Sequence, residues 1–181
     1  MVLALLMIGA AGFAQNSGNV FLGYSYNRAS SGWSDTGNLN GWEASVEGKI
    51  APFAGVVVDV STQYGTLQLP TEHIILEPGS VDSTTRVVSY LFGGRLSHRI
   101  GKFEPFAQGL VGAAHLHESV SAPSPEFSYG ETCLADAIGA GLDYHLRPRL
   151  AWRLQGDVLQ TRFHGGLEND ARISTGLAWH F

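Results

Sequence analysis

Cysteine is all but missing from this chain. Cys133 stands alone, so no intrachain disulfide can form, and the paired-cysteine spacings of zinc and redox motifs are excluded. No long basic run occurs, and the formal net charge is −5, with 11 Lys and Arg against 16 Asp and Glu. That balance excludes a basic nucleic-acid-binding surface. Charge of either sign is scarce, at 15% of residues, where soluble domains carry roughly 25%. Beyond Gln15 no apolar stretch approaches the about 20 residues that a membrane-spanning helix needs. A chain that crosses a bilayer without such a stretch must do so as a closed barrel, because lipid offers no partner to an open sheet edge.

What is present fits that alternative. The chain has 181 residues, the size of one domain, with 23 glycines and 10% aromatics. Met1 to Ala14 is a short apolar stretch ending in small residues. The pattern predicts a secretory signal over 1–14, cleaved after Ala14, and a mature domain over 15–181. The signal lacks a positive n-region; the other reading is a buried N-terminal helix.

Apolar and polar residues then alternate with a period of two in eight segments. They are Asn19 to Asn27, Gly41 to Ile50, Gly55 to Tyr64, Thr85 to Ser97, Glu104 to Leu116, Cys133 to Leu146, Leu150 to Thr161 and Ala171 to Phe181. Each is about ten residues long, which suits a tilted transmembrane strand better than a globular one. The fifth is rich in small residues, and its faces are not assigned by the pattern. The alanine-rich start of the sixth, taken alone, also suits a helix. Connections alternate in length. Arg28 to Asn40, Gly65 to Thr84 and His117 to Thr132 are long, whereas Ala51 to Ala54, His98 to Phe103 and Arg147 to Arg149 are short. Short periplasmic turns and long extracellular loops produce this asymmetry, and an even strand count puts both termini on the periplasmic side. The expected fold class is all-β: an eight-stranded antiparallel up-and-down transmembrane β-barrel.

In a membrane barrel the apolar face meets lipid and the charged face lines the lumen. Aromatics on the apolar face fall at strand ends: Tyr26, Trp42 and Tyr64 at one end, Tyr144, Trp152, Trp179 and Phe181 at the other. Two girdles at the headgroup level are expected from such placement. The opposite face carries both signs. Glu43, Glu47, Asp59, Asp143 and Asp157 share it with Lys49, Arg95, Arg153 and Arg172. Those nine residues are the expected polar network of a narrow lumen, where an unpaired charge is costly.

The ending Ile173-Ser174-Thr175-Gly176-Leu177-Ala178-Trp179-His180-Phe181 resembles the C-terminal signal of outer-membrane proteins. Phe21-Leu22-Gly23-Tyr24-Ser25-Tyr26, Pro105 to Gly112 and Leu154 to Thr161 resemble the first, fifth and seventh strands of the outer-membrane protein β-barrel domain family, of OmpA/OmpX type. The resemblance covers the mature chain and rests on strand patterns rather than on a catalytic motif. It implies a monomer in the outer membrane of a Gram-negative bacterium, with outer-membrane lipid as its surroundings. It also implies recognition by the barrel assembly machinery through Ile173, Leu177, Trp179 and Phe181. The peptidoglycan-binding domain of longer family members is not expected here, so cell-wall anchoring is not carried over.

No residue pattern fixes a catalytic, cofactor or metal site. His115 and His117 share one strand face beside Glu118, but spacing supplies no third ligand, and they read as rim histidines. His164, Glu168 and Asp170 read as solvated loop residues. Some barrels of this kind modify lipid A with a serine and a histidine at the lipid-facing rim. Here Ser97 and His98 are adjacent and must point to opposite faces, and the deacylase-type His-x-Ser-Asn motif is missing. Cys133, at a loop edge, reads as inert rather than nucleophilic. The expected role is therefore structural or porin-like and not enzymatic, with no nucleic acid partner and a lumen largely plugged by charged side chains. A surface adhesin acting through its loops is the alternative. A lipid-modifying enzyme and a soluble lipocalin-like carrier are the remaining readings.

Overall fold

In a computed structural model of the protein, residues 17–30, 36–67, 83–120, 127–162 and 168–181 are described. The signal read over 1–14 lies outside them. The described chain forms eight strands: β1 (Gly18–Ser30), β2 (Thr36–Ala51), β3 (Ala54–Leu67), β4 (Ser83–Ser97), β5 (Phe103–Val120), β6 (Phe127–Arg147), β7 (Leu150–Thr161) and β8 (Glu168–His180). Each pairs antiparallel with its neighbour in sequence, and β1 pairs with β8, so the sheet closes on itself. No helix of the described residues is long and apolar enough to cross a membrane. The fold is an up-and-down transmembrane β-barrel, as the alternation requires.

Closure is made by the first and last strands. Phe21 sits opposite Ala178, and Leu22 opposite Leu177. Backbone hydrogen bonds run both ways between Gly18 and Phe181, at 3.1 and 3.0 Å. The short connections lie at this end. Pro52 and Phe53 turn β2 into β3, Pro148 and Arg149 turn β6 into β7, and residues 98–102 join β4 to β5. Gly101 takes φ of 63° in the last of these, a conformation that an L side chain adopts only with strain. Register shifts at Lys49/Ala51 and His145/Arg147 mark bulges beside the two proline turns.

The strands are longer than the alternation suggests, chiefly away from the termini. The segment starting at Cys133 is strand throughout and begins at Phe127, with no helix. β5 has 18 residues and β6 has 21. At about 3.4 Å per residue and a tilt of about 45°, 21 residues rise about 50 Å, against a hydrocarbon core of about 30 Å. The β5–β6 hairpin therefore outreaches a bilayer. Parts of the long connections read from sequence are strand: 28–30, 36–40, 65–67, 83–84, 117–120 and 127–132; residues 31–35, 68–82 and 121–126 lie outside the described residues.

Side chains sort by parity. Leu22 is 63% exposed and Phe21 fully buried; Val58 is 48% exposed and Val57 fully buried. The exposed face is apolar over most of its height, with Phe92, Leu96, Val111, Leu134, Ile138, Leu154, Val158 and Leu177 among its members. An apolar exterior around a polar interior is the arrangement that lipid, rather than water, satisfies. Outward aromatics band both ends. Tyr24, Trp42 and Tyr64 lie away from the termini; Phe53, Phe103, Trp152, Trp179 and Phe181 lie near them. Tyr26 is half-buried and donates to Asn38 Oδ1 at 2.7 Å. Tyr144 stacks against Phe103 with ring centroids 5.2 Å apart.

Candidate functional site

Among the described residues the lumen concentrates the charged side chains, and alternation dictates which of them enter it. Glu43, Ser45 and Glu47 of β2 and Arg153, Gln155 and Asp157 of β7 are all buried inward positions, and Gln155 meets Glu43 across the barrel. Of the nine residues expected to form a lumen network, eight are buried side chains, and Lys49 is half-buried near the turn end.

Arg172 on β8 is the hub of one tier. Its guanidinium reaches Asp59 Oδ1 at 3.2 Å, Asp157 Oδ2 at 3.1 Å and Glu43 Oε2 at 3.6 Å. Ser174 donates to Glu43 Oε2 at 2.5 Å, and Gln155 donates to Glu43 Oε1. One planar fork thus ties β8 to β2, β3 and β7 and spans the lumen. Arg95 organises the next tier towards the turns. It donates to Glu47 Oε2 at 3.1 Å and to Gln108 Oε1 through both Nε and Nη2. Gln108 in turn donates to Asp157 Oδ1 at 2.8 Å, which links the two tiers. Arg153 grips Asp143 with two parallel bonds of 2.6 and 2.7 Å, the bidentate geometry that favours arginine over lysine. Asn19 joins these pairs by donating to Glu47 and accepting from Arg153.

Two aromatic rings fill the space between the tiers. The Arg95 guanidinium lies 4.3 Å from the Phe106 ring centroid, and Arg153 lies 4.9 Å from the same ring and 5.1 Å from that of Phe21. A cation over a ring face is electrostatically favourable, more so where water is displaced. Glycine makes the room: a Cβ at Gly141 would strike the tip of Phe106, and one at Gly23 would strike Phe21. Nearer the turns, Lys49 bonds Glu104 Oε1 at 2.9 Å and Ser97 at 2.5 Å, and His145 Nε2 sits 3.0 Å from Glu104 Oε2.

Sequence reading missed several members of this interior. Glu104 and Gln108 went unassigned with the rest of the fifth segment. The structure settles its faces: Glu104, Phe106, Gln108, Leu110 and Ala114 point inward, whereas Phe103, Val111, His115 and His117 point outward. The interior is also not polar throughout. Val57, Leu91, Leu110, Ala114, Cys133, Ala135, Ala137 and Leu159 form an apolar cluster on the β3–β7 wall. Cys133 belongs to it, seven residues into β6 and buried, rather than at a loop edge. Parity places it there, since Cys133, Ala135 and Ala137 share the face of Asp143.

The other residues weighed for chemistry are scattered. His115 and His117 are exposed on the outer face, and His115 Nδ1 is 2.8 Å from Thr132 Oγ1. Ser97 points inward to Lys49, whereas His98 is exposed. Asp170 is half-buried in β8, and Asn27 donates to it at 3.5 Å. His164 and the side chains of Glu118 and Glu168 lie outside the described residues. Of the C-terminal residues read as an assembly signal, Ile173, Leu177, Trp179 and Phe181 all point outward along β8.

The sequence matches no protein-family model and no curated protein. The fold is shared with solved outer-membrane proteins at low identity. The chain is similar to Ail, the attachment invasion locus protein of Yersinia pestis, solved in complex with the heparin analogue sucrose octasulfate. The TM-score is 0.67 and the identity 16%, over 92% of this chain and 99% of that one. It is similar to Neisserial surface protein A, with a TM-score of 0.66 and 12% identity over 91% and 97% of the two chains. It also resembles the outer membrane protein OprG from Pseudomonas aeruginosa, with a TM-score of 0.56 and 10% identity over 92% and 96%. These likenesses establish the barrel fold and not a role.

Proposed function

We propose that this protein is a monomeric barrel of the Gram-negative outer membrane, non-enzymatic, with a structural role and at most a minor pore. The observation that carries this reading is the guanidinium network. Arg172 reaches from β8 to Glu43 on β2 and Asp59 on β3, Arg95 from β4 to Glu47 on β2, and Arg153 from β7 to Asn19 on β1 while it holds Asp143 on the adjacent strand β6. An eight-stranded barrel encloses just enough space for side chains, so three such forks with Phe21 and Phe106 between them leave no wide aqueous path. In this reading outer-membrane lipid covers the apolar exterior, and Ile173, Leu177, Trp179 and Phe181 present β8 to the barrel assembly machinery. Residues 1–14 serve as the export signal. The fractionation of cells expressing the full chain tests the location: the folded, heat-modifiable form is expected in the outer membrane. Swelling of liposomes containing the purified protein tests the role, and rapid entry of a monosaccharide would overturn it.

A second reading has its own observation. The β5–β6 hairpin outreaches the bilayer on the side opposite the termini, which gives the protein an exposed surface for contact with other cells or molecules. Shortening this hairpin would abolish such contact and leave assembly intact.

A further inference from the structure

At the turn end of the lumen lies a cluster that the arginine tiers do not require. β5, β6 and β8 bring Glu104, His145 and His180 together, with one ligating atom of each within 4.8 Å of the other two. His145 Nε2 is 3.0 Å from Glu104 Oε2, and the two imidazole rings have centroids 4.7 Å apart. Glu104 and His145 are 41 residues apart in sequence, so no local spacing reveals the group.

We propose that Glu104, His145 and His180 form a divalent transition-metal site at the mouth of the barrel, with Zn²⁺ as the best-fitting ion. The donor set of two imidazoles and a carboxylate is that of open zinc sites, which keep a fourth position for water. The second observation is an unsatisfied ring. His145 is buried, and its Nδ1 has no hydrogen-bond partner among the described residues. No protein group therefore fixes the tautomer of this ring, and its Nε2, turned towards Glu104, is free to present a lone pair to an ion. His180 Nε2 lies 3.4 Å from Asp143 Oδ2, which leaves Nδ1 as the nitrogen offered to an ion. That carboxylate gives the ring the outer partner that metal-binding histidines usually have.

Charge favours a cation here. The network acids Glu43, Glu47, Asp59, Glu104, Asp143 and Asp157 number six, against Lys49, Arg95, Arg153 and Arg172. The nearest competing cations are already committed. Lys49 bonds Glu104 through Oε1, leaving Oε2 towards the histidines, and Arg153 holds both oxygens of Asp143. The site also meets solvent, since the Glu104 and His180 side chains keep 9% and 15% of their exposure beside the half-buried Lys49. Zinc bonds of about 2.0–2.2 Å need donors roughly 3.3–3.5 Å apart, so the side chains close in by about 1 Å. A bound ion would clamp the last strand, β8, to β5 and β6 across the mouth.

The test uses untagged full-length protein, refolded in detergent, treated with chelator and titrated with ZnCl₂ in a calorimeter. One ion per chain is expected, with affinity lowered at least tenfold in His145→Gln and in His180→Gln. The His115→Gln/His117→Gln double variant should bind as wild type does. Heat-modifiable gel mobility verifies that each variant is folded. A Co²⁺ difference spectrum of the wild type needs no variant, and visible d–d bands at one equivalent are expected. The site is overturned if wild type binds no Zn²⁺, if binding survives loss of both His145 and His180, or if it vanishes only with the outer histidines.

Discussion

Removal of the Arg172 guanidinium is the perturbation that strains the lumen most. This side chain is fully buried and lies within 3.6 Å of three carboxylates, on β2, β3 and β7. Arg172→Ala leaves Glu43, Asp59 and Asp157 facing one another in a space that water enters poorly. Breaking a single buried ion pair typically costs 3–5 kcal/mol, because the remaining charge is uncompensated. With three acids served by one cation, the loss should lie at the upper end, about 5 kcal/mol. Arg172→Lys should recover only part of it, since a compact ammonium cannot span the three carboxylates that Nε, Nη1 and Nη2 of the guanidinium reach separately. Adding Asp59→Asn to Arg172→Ala should restore about 1–3 kcal/mol, because an amide needs no counter-ion. Urea unfolding in detergent micelles, followed by tryptophan fluorescence and gel mobility, measures all of these. A stability change under 1 kcal/mol for Arg172→Ala, or no gain from Asp59→Asn in that background, would refute the claim that the network holds the barrel together.

Three other outcomes follow from the same geometry. Val58 is outward and near mid-strand, so Val58→Arg should destabilise by roughly 2–4 kcal/mol in lipid refolding, whereas Val58→Leu should be nearly neutral. Deleting Phe181, whose backbone bonds Gly18 at the seam, or changing Trp179 and Phe181 together to Ala, should sharply lower the folded fraction in the outer membrane; fractionation with gel mobility reads this, and unchanged yield counts against the C-terminal signal. Protease added to intact cells should cut within 31–35, 68–82 or 121–126 and spare Arg147 and Arg149, since exposed loop tips are the usual nicking sites; early cleavage at those arginines would invert the topology.

Alternation in the sequence carried most of the fold because a strand's side-chain period is two and the barrel has one face for each solvent. Wherever one parity held charge and the other held Val, Leu or aromatics, as in β2, β3 and β7, both strand and facing could be read. The fifth segment failed because Ala107, Gly109, Gly112, Ala113 and Ala114 lack the contrast that marks a face; pairing with β4 and β6 decides it. Strand ends were underestimated where polar residues replace apolar ones above the lipid, so Thr36 to Asn40 and Phe127 to Thr132 read as loop although their backbones stay paired. The nine charged lumen residues were legible as a set, but their partners were not. Which carboxylate meets which guanidinium depends on strand tilt and register around the closed sheet, and two of the three carboxylates on Arg172, Glu43 and Asp59, lie more than 100 residues away in sequence. The glutamines that relay between tiers, Gln108 and Gln155, carry no charge signal to single them out. The apolar wall around Cys133 was hidden for the opposite reason: where the inward parity is apolar too, as at Cys133, Ala135 and Ala137, nothing in the pattern separates the lumen face from the lipid face.

Planar-bilayer recording of the wild-type protein addresses the central claim most directly. With Arg172 spanning the lumen, Arg95 and Arg153 projecting into it, and Phe21 and Phe106 filling between them, we predict at most a small, intermittent conductance. Arg95→Ala and Arg153→Ala should raise it, lower stability, or both, because each leaves a buried acid unpaired. A large, stable conductance from the unmodified protein would contradict the sealed lumen and make this barrel an open diffusion pore.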